Sequence, residues 1–108
     1  MSHLSAHALD AASGTPAAGV RVELRAAGGA LLAQSVTNAD GRVADLGPDR
    51  LPPGAYEVTF GSGEYFAGQG VDCLYPSVAV LFTVAAGQVH YHIPLLLSPF
   101  SYTTYRGS

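Results

Sequence analysis

Short runs of alternating apolar and polar residues, separated by turn-forming breaks, make up most of this chain. Val20-Arg21-Val22-Glu23-Leu24-Arg25 alternates cleanly, apolar on one side and charged on the other. Successive strand side chains point to opposite faces, so this is the pattern of a strand with one buried face. The same reading predicts strands at residues 3–10, 20–25, 31–37, 42–44, 55–60, 78–84, 88–97 and 101–105. The breaks include Ser13-Gly14-Thr15-Pro16, Gly28-Gly29, Asn38-Ala39-Asp40-Gly41, Pro52-Pro53-Gly54, Gly87 and Pro99. In the fourth strand's turn, Asp40-Gly41 favours a positive φ. Residues 64–68 are the one stretch that reads as a short helix. Val78 to Val84 is almost continuously apolar, which predicts a strand covered on both faces. Eight short strands in 108 residues predict an all-β, two-sheet sandwich that forms one domain over residues 1–108.

Composition sharpens this picture. Hydrophobic residues are 48% of the chain and charged residues only 12%, against about 25% charged in a typical globular domain. That excludes a charge-rich disordered tail. It also leaves a small domain with much uncharged surface, the kind that forms interfaces, so a homo-oligomer is expected. The net charge is −3 and the five basic residues are all arginines, too few for a nucleic-acid-binding stripe. No apolar run approaches the roughly 18 residues of a membrane helix, and no basic segment followed by an apolar one opens the chain as a secretory signal would. A single cysteine, Cys73, allows no internal disulfide. A cytoplasmic protein with neither membrane nor nucleic-acid partner is the expectation.

The chemistry-bearing residues are the four histidines: His3, His7, His90 and His92. His3, Ser5 and His7 share one face of the first strand, and His90 and His92 share a face with Gln88 and Pro94. On the later strand Val89, Tyr91, Ile93 and Leu95 form the apolar, core-facing side, so all four imidazoles are predicted to point away from the core. Three readings are open. The histidines are solvated polar positions; or His90-x-His92, with His7, binds a metal; or they exchange protons near neutral pH, with Arg42 holding an anionic or carbonyl-rich substrate. On spacing alone Arg42 is an ordinary exposed turn arginine. Arg21 and Arg25 read as solubility residues, Asp10, Asp40, Asp45 and Asp49 as turn residues, and Cys73 as structural. No nucleophile elbow, phosphate loop or dinucleotide fingerprint is present.

Several segments resemble the transthyretin-like family. They are Leu4-Ser5-Ala6-His7-Ala8-Leu9-Asp10, Gly14-Thr15-Pro16-Ala17, Thr37-Asn38-Ala39-Asp40-Gly41-Arg42, Tyr65-Phe66 and the long closing run from His90-Tyr91-His92 to Tyr102. The final Tyr105-Arg106-Gly107-Ser108 is similar to the signature of that family's hydroxyisourate hydrolase branch, and the resemblance spans essentially the whole chain. It implies a transthyretin-like sandwich with four strands per sheet and one short helix. It implies a homotetramer, a dimer of dimers, with active sites in the channel between dimers. The implied reaction is metal-free and cofactor-free hydrolysis of 5-hydroxyisourate to 2-oxo-4-hydroxy-4-carboxy-5-ureidoimidazoline. The implied catalytic residues are His7, Arg42, His92 and Ser108, with His7, Arg42 and Tyr105 binding substrate. His90 is placed near the channel mouth, and His3 has no role. The alternative function on the same scaffold is a non-catalytic carrier of small aromatic ligands. A third possibility is an accessory β-sandwich module, against which the span from first strand to last motif favours a free-standing protein.

Overall fold

The alternating runs fold into two β-sheets packed face to face, in a computed structural model that describes residues 2–108. The elements are β1 (Leu4–Asp10), β2 (Thr15–Pro16), β3 (Arg21–Ala26), β4 (Leu31–Val36), β5 (Arg42–Val43), β6 (Gly54–Phe60), α1 (Ser62–Ala67), β7 (Val78–Val84), β8 (Tyr91–Ser98) and β9 (Ser101–Thr104). One sheet runs β2-β1-β8-β9, and β5 also pairs with β1; the other runs β4-β3-β6-β7. Five strands stand in the first sheet and four in the second, so the expected four-plus-four count is corrected by the two-residue β2. Its register, Leu9 opposite Pro16 and Asp10 opposite Thr15, is too short to show as alternation. The β1–β8 pairing is parallel, with Ser5 opposite His92 and His7 opposite Pro94. The other pairings are antiparallel.

The core is built from the inward faces of both sheets. Leu4, Ala6 and Ala8 come from β1, Val22 and Leu24 from β3, Val58 and Phe60 from β6, and Tyr91, Ile93, Leu95 and Leu97 from β8. Each fully buried Val, Leu, Ile or Phe stabilises the fold by about 1.5–3 kcal/mol, which is why the alternating runs fix which face turns inward. No helix among the described residues is long and apolar enough to cross a membrane.

Three expectations are corrected. Val78 to Val84 is not covered on both faces: β7 is a sheet edge and Leu81 is 66% exposed. The continuous apolar run therefore does not mark a central strand. Val89 is 87% exposed because β8 starts only at Tyr91, leaving Gln88, Val89 and His90 in the irregular segment before it. His3 does not point away from the core; it precedes β1 and is buried. Its Nε2–H donates to the Gln88 carbonyl at 2.8 Å, and its Nδ1 accepts the Leu51 N–H at 2.8 Å. Both ring nitrogens are thus committed to joining three separate segments.

A polar clamp ties α1 to the end of β1. Asp10 is buried, yet Tyr65 Oη donates to its Oδ2 at 2.8 Å, and the Ala12 and Ser13 N–H groups donate to its Oδ1 at 3.0 and 3.1 Å. Burial alone would raise the Asp10 pKa, but these bonds outweigh it and hold the carboxyl below the usual aspartate value. Burial and the same bond push the Tyr65 hydroxyl up. Tyr65→Phe is expected to lower stability at neutral pH by about 1.5–3 kcal/mol, as loss of a bond to a charged group does. Because the Asp10 pKa is lower folded than unfolded, its stabilisation is present above the unfolded value near 3.9 and is lost as acid titrates the folded carboxylate. The gap between variant and wild type in urea midpoint should therefore narrow below about pH 4.

Candidate active site

The outward face of β1 and the start of β8 carry the reactive side chains, because their inward face is spent on the core. Parallel pairing brings the N-terminal halves of the two strands side by side, so Ser5 and His7 stand next to His92 rather than at the far end of the sheet. The His7 and His92 ring centroids lie 6.3 Å apart. On the other edge of β1, β5 places Arg42 directly opposite His7.

The turn before Arg42 is closed on itself. Asn38 Oδ1 accepts the N–H groups of Asp40 and Arg42 at 2.9 and 3.0 Å, and Gly41 N–H donates to the Asn38 carbonyl at 2.9 Å. Gly41 has φ +75°, and a Cβ there would overlap the Ala8 carbonyl oxygen and lie 3.1 Å from the Ala17 nitrogen. Only glycine lets this turn lie against β1. The turn in turn fixes His7: its Nε2 lies 3.0 Å from the Asp40 carbonyl, which only accepts, so Nε2 donates, and in the neutral ring Nδ1 is the nitrogen with the lone pair.

His92 is held by Ser5 and Gly107. Its Nδ1 lies 2.7 Å from Ser5 Oγ. The Gly107 N–H donates to its carbonyl at 2.9 Å, and Gly107 packs so closely that an added Cβ would overlap the imidazole. Burial penalises its charged form, and Arg42, His7 and His90 add repulsion, so the His92 pKa lies below the usual histidine value. Ser5, Arg42, His90, His92 and Ser108 line one cavity of about 290 Å³ on this face. His7 is beside it through the ring contact with His92. Tyr105 is not among its lining residues. It is 56% exposed and lines a separate cavity of about 360 Å³ with Phe82, Tyr91 and Arg106, reached by the inward face of β8. There Arg106 lies 4.7 Å over the Tyr91 ring and bonds Gln88.

Sequence reasoning missed two residues at this site. Ser5 shares the His7 face by simple alternation, but its neighbour His92 is a strand far away in the chain. Gly107 matters only through its approach to His92, which leaves no local signal. Among the described residues no three His, Cys, Asp or Glu side chains are grouped to hold a metal ion. The arrangement instead supplies a neutral imidazole, a permanent cation and short hydrogen-bonding side chains around a small polar cleft, a set suited to moving protons next to developing negative charge.

Arg42→Gln is expected to raise the His92 titration midpoint, since removing a neighbouring positive charge favours the imidazolium; the midpoint is read by NMR of the ring protons. Gly107→Ala is expected to shift the His92 ring resonances strongly while the protein stays folded.

The same fold occurs in known proteins of similar sequence. The HIUase/Transthyretin family profile matches residues 4–107. A 5-hydroxyisourate hydrolase of Pseudomonas aeruginosa is 40% identical, the alignment covering 100% of this chain and 93% of that protein. The solved structure of Klebsiella pneumoniae 5-hydroxyisourate hydrolase superposes with a TM-score of 0.89 at 41% identity, over 97% of this chain and 98% of that one. Sea bream transthyretin in complex with thyroxine also superposes with a TM-score of 0.89, at 37% identity, over 97% of this chain and 94% of that one. With its sandwich topology, its whole length and its sequence all matching, the chain belongs to the HIUase/Transthyretin family.

Proposed function

We propose that this chain hydrolyses 5-hydroxyisourate, opening a ring amide with water to give 2-oxo-4-hydroxy-4-carboxy-5-ureidoimidazoline. The observation that carries the reading is the convergence of His7, Arg42, His92 and Ser108 on one open sheet face, beside a cavity of about 290 Å³. The relatives named as 5-hydroxyisourate hydrolases support it. Amide hydrolysis needs a base for the water, a donor for the oxyanion and an acid for the departing nitrogen. His92 is kept neutral by burial and Arg42, so it is free to accept a proton at neutral pH. His7, whose Nε2–H is engaged by Asp40, offers Nδ1 to the same water, and the two imidazoles act as a pair. Arg42 orients the carbonyl-rich ring through its planar fork and stabilises negative charge as it develops. Ser108 hydrogen-bonds substrate from the cavity wall, and the exposed Tyr105, three residues before it, offers a further hydroxyl to substrate. The scheme uses no metal or cofactor.

The proposal includes a homotetramer, a dimer of dimers, in the cytoplasm. β7 and β9 are both edge strands, and Leu81, Phe100 and Tyr102 stand exposed on or next to them. The catalytic face itself is uncovered in one chain, so a second pair of subunits would roof the cleft and exclude water.

The test follows the near-ultraviolet decay of hydroxyisourate generated in situ from urate. Decay faster than the spontaneous rate, lost in Arg42→Ala and reduced about 10²–10⁴-fold in His7→Ala and His92→Ala, is expected. Deleting Ser108 should lower turnover far more than thermal stability. Since the lowered pKa keeps His92 unprotonated to lower pH, the acid limb of the kcat/KM profile should fall below pH 6.5. Decay at the spontaneous rate by a folded oligomer sinks the reading. Tight binding of a thyroxine-like aromatic without turnover would favour the carrier function instead, to which the likeness with the thyroxine complex points.

A further inference from the structure

Behind His92 lies a hydrogen-bonded chain that the hydrolytic scheme does not use. Ser5 Oγ lies 2.7 Å from His92 Nδ1 and 3.0 Å from His90 Nε2. At the far end the Asp45 carboxylate is held mainly by the Ser2 N–H at 2.7 Å, and it also interacts electrostatically with His90. We propose that Ser5 and His90 are positioning residues that form a proton relay behind His92, the Ser5 hydroxyl locking the tautomer of one imidazole to that of the other. The inference rests on the reading of this cleft as a hydrolytic site.

A serine hydroxyl has one proton to donate, and here it meets two imidazole nitrogens. When both rings are neutral, one of those nitrogens must be protonated and the other bare. In one arrangement His92 Nδ1–H donates to Oγ and the hydroxyl donates to His90 Nε2, which leaves His92 Nε2 bare and basic. In the other, His90 Nε2–H donates to Oγ and the hydroxyl donates to His92 Nδ1, which leaves His92 Nε2–H as an acid. The hydroxyl couples the two rings, so His92 changes from base to acid without rotating.

The protons balance along this path. As His92 Nε2 takes a proton from the attacking water, its Nδ1 proton passes to Ser5 Oγ, and the Ser5 proton passes to His90 Nε2. The hydroxide adds to the carbonyl, and the positive charge comes to rest on His90 instead of on His92, which faces Arg42 and His7. When the departing ring nitrogen takes the proton from His92 Nε2, the same transfers run backwards. The relay thus shares the proton's charge between two imidazoles joined by one hydroxyl.

Two measurements on the whole protein test this. In kinetics, Ser5→Ala is expected to lower kcat roughly 10- to 100-fold with KM changed by no more than about twofold, and Ser5→Thr, which keeps a hydroxyl, to recover most of the loss. A merely packing role would not make the larger threonine better than the smaller alanine. In ¹⁵N NMR of the histidine rings without substrate, above the titration of both imidazoles, Ser5→Ala is expected to change the neutral tautomer ratio of His92. His90→Gln is expected to change it as well, but only while Ser5 is present. Because His90 lies outside the regular strand, that variant carries the test if Ser5→Ala does not fold. An unchanged kcat in Ser5→Ala, a Thr variant no better than Ala, or a His92 tautomer ratio indifferent to both substitutions overturns the relay. Absence of turnover in the wild-type protein would overturn the hydrolase reading instead, and the NMR arm would still decide the relay.

Discussion

One pairing organises this molecule: the parallel contact between β1 and β8. Every other pairing is antiparallel. Had this one been antiparallel as well, the histidines at the start of each strand would lie at opposite ends of the sheet. Parallel register sets Ser5 against His92, while on the opposite edge of β1 the short β5 delivers Arg42 across from His7. The inward residues of the same strands are Leu4, Ala6, Ala8, Tyr91, Ile93 and Leu95, all buried. A one-residue slip would exchange the core face for the reactive face. The hydrophobic core therefore sets the register of the cleft.

Arg42 has two electrostatic effects in that cleft. As a guanidinium it is charged at every accessible pH, so its field on His92 does not fade in the range where imidazoles titrate. That field adds to burial in keeping His92 neutral, and the same charge is available to an anionic or carbonyl-rich ligand. A ligand that carries negative charge to Arg42 would partly cancel the first effect, raising the basicity of His92 as it binds. The rigid Asn38 turn matters for this reason, since it fixes the strand from which the charge projects.

The sequence shows faces more readily than neighbours. Alternation located nearly all the strands, and Asp40-Gly41 announced its turn, because both signals are local. Alternation also placed His7 and His92 on outward faces. It erred at His3 and Val89, where the strands had not yet begun and the period-two rule has no force. It erred again at β7, since an apolar run does not distinguish a strand buried in a sheet from an edge strand with one open face. Ser5 and Gly107 were given no role of their own because their importance lies in contacts with His92 made across 87 residues in one case and by close backbone approach in the other. The roles of Arg42 and the final residues came from resemblance to a family, not from spacing.

The separation of 87 residues between Ser5 and His92 has a kinetic consequence. Closing so long a loop must precede any contact that rewards it, and chains rich in such contacts fold slowly. The β3–β4 hairpin and the β8–β9 hairpin close locally, whereas the seam between β1 and β8 joins the two ends of the chain. Refolding should therefore regain secondary structure before it regains a working cleft, and the cleft reports completed assembly. By the same token, a molecule bound between Arg42 and His92 grips parts of the chain that separate only when that seam opens, so it protects against the sheet's disruption more than against fraying of loops.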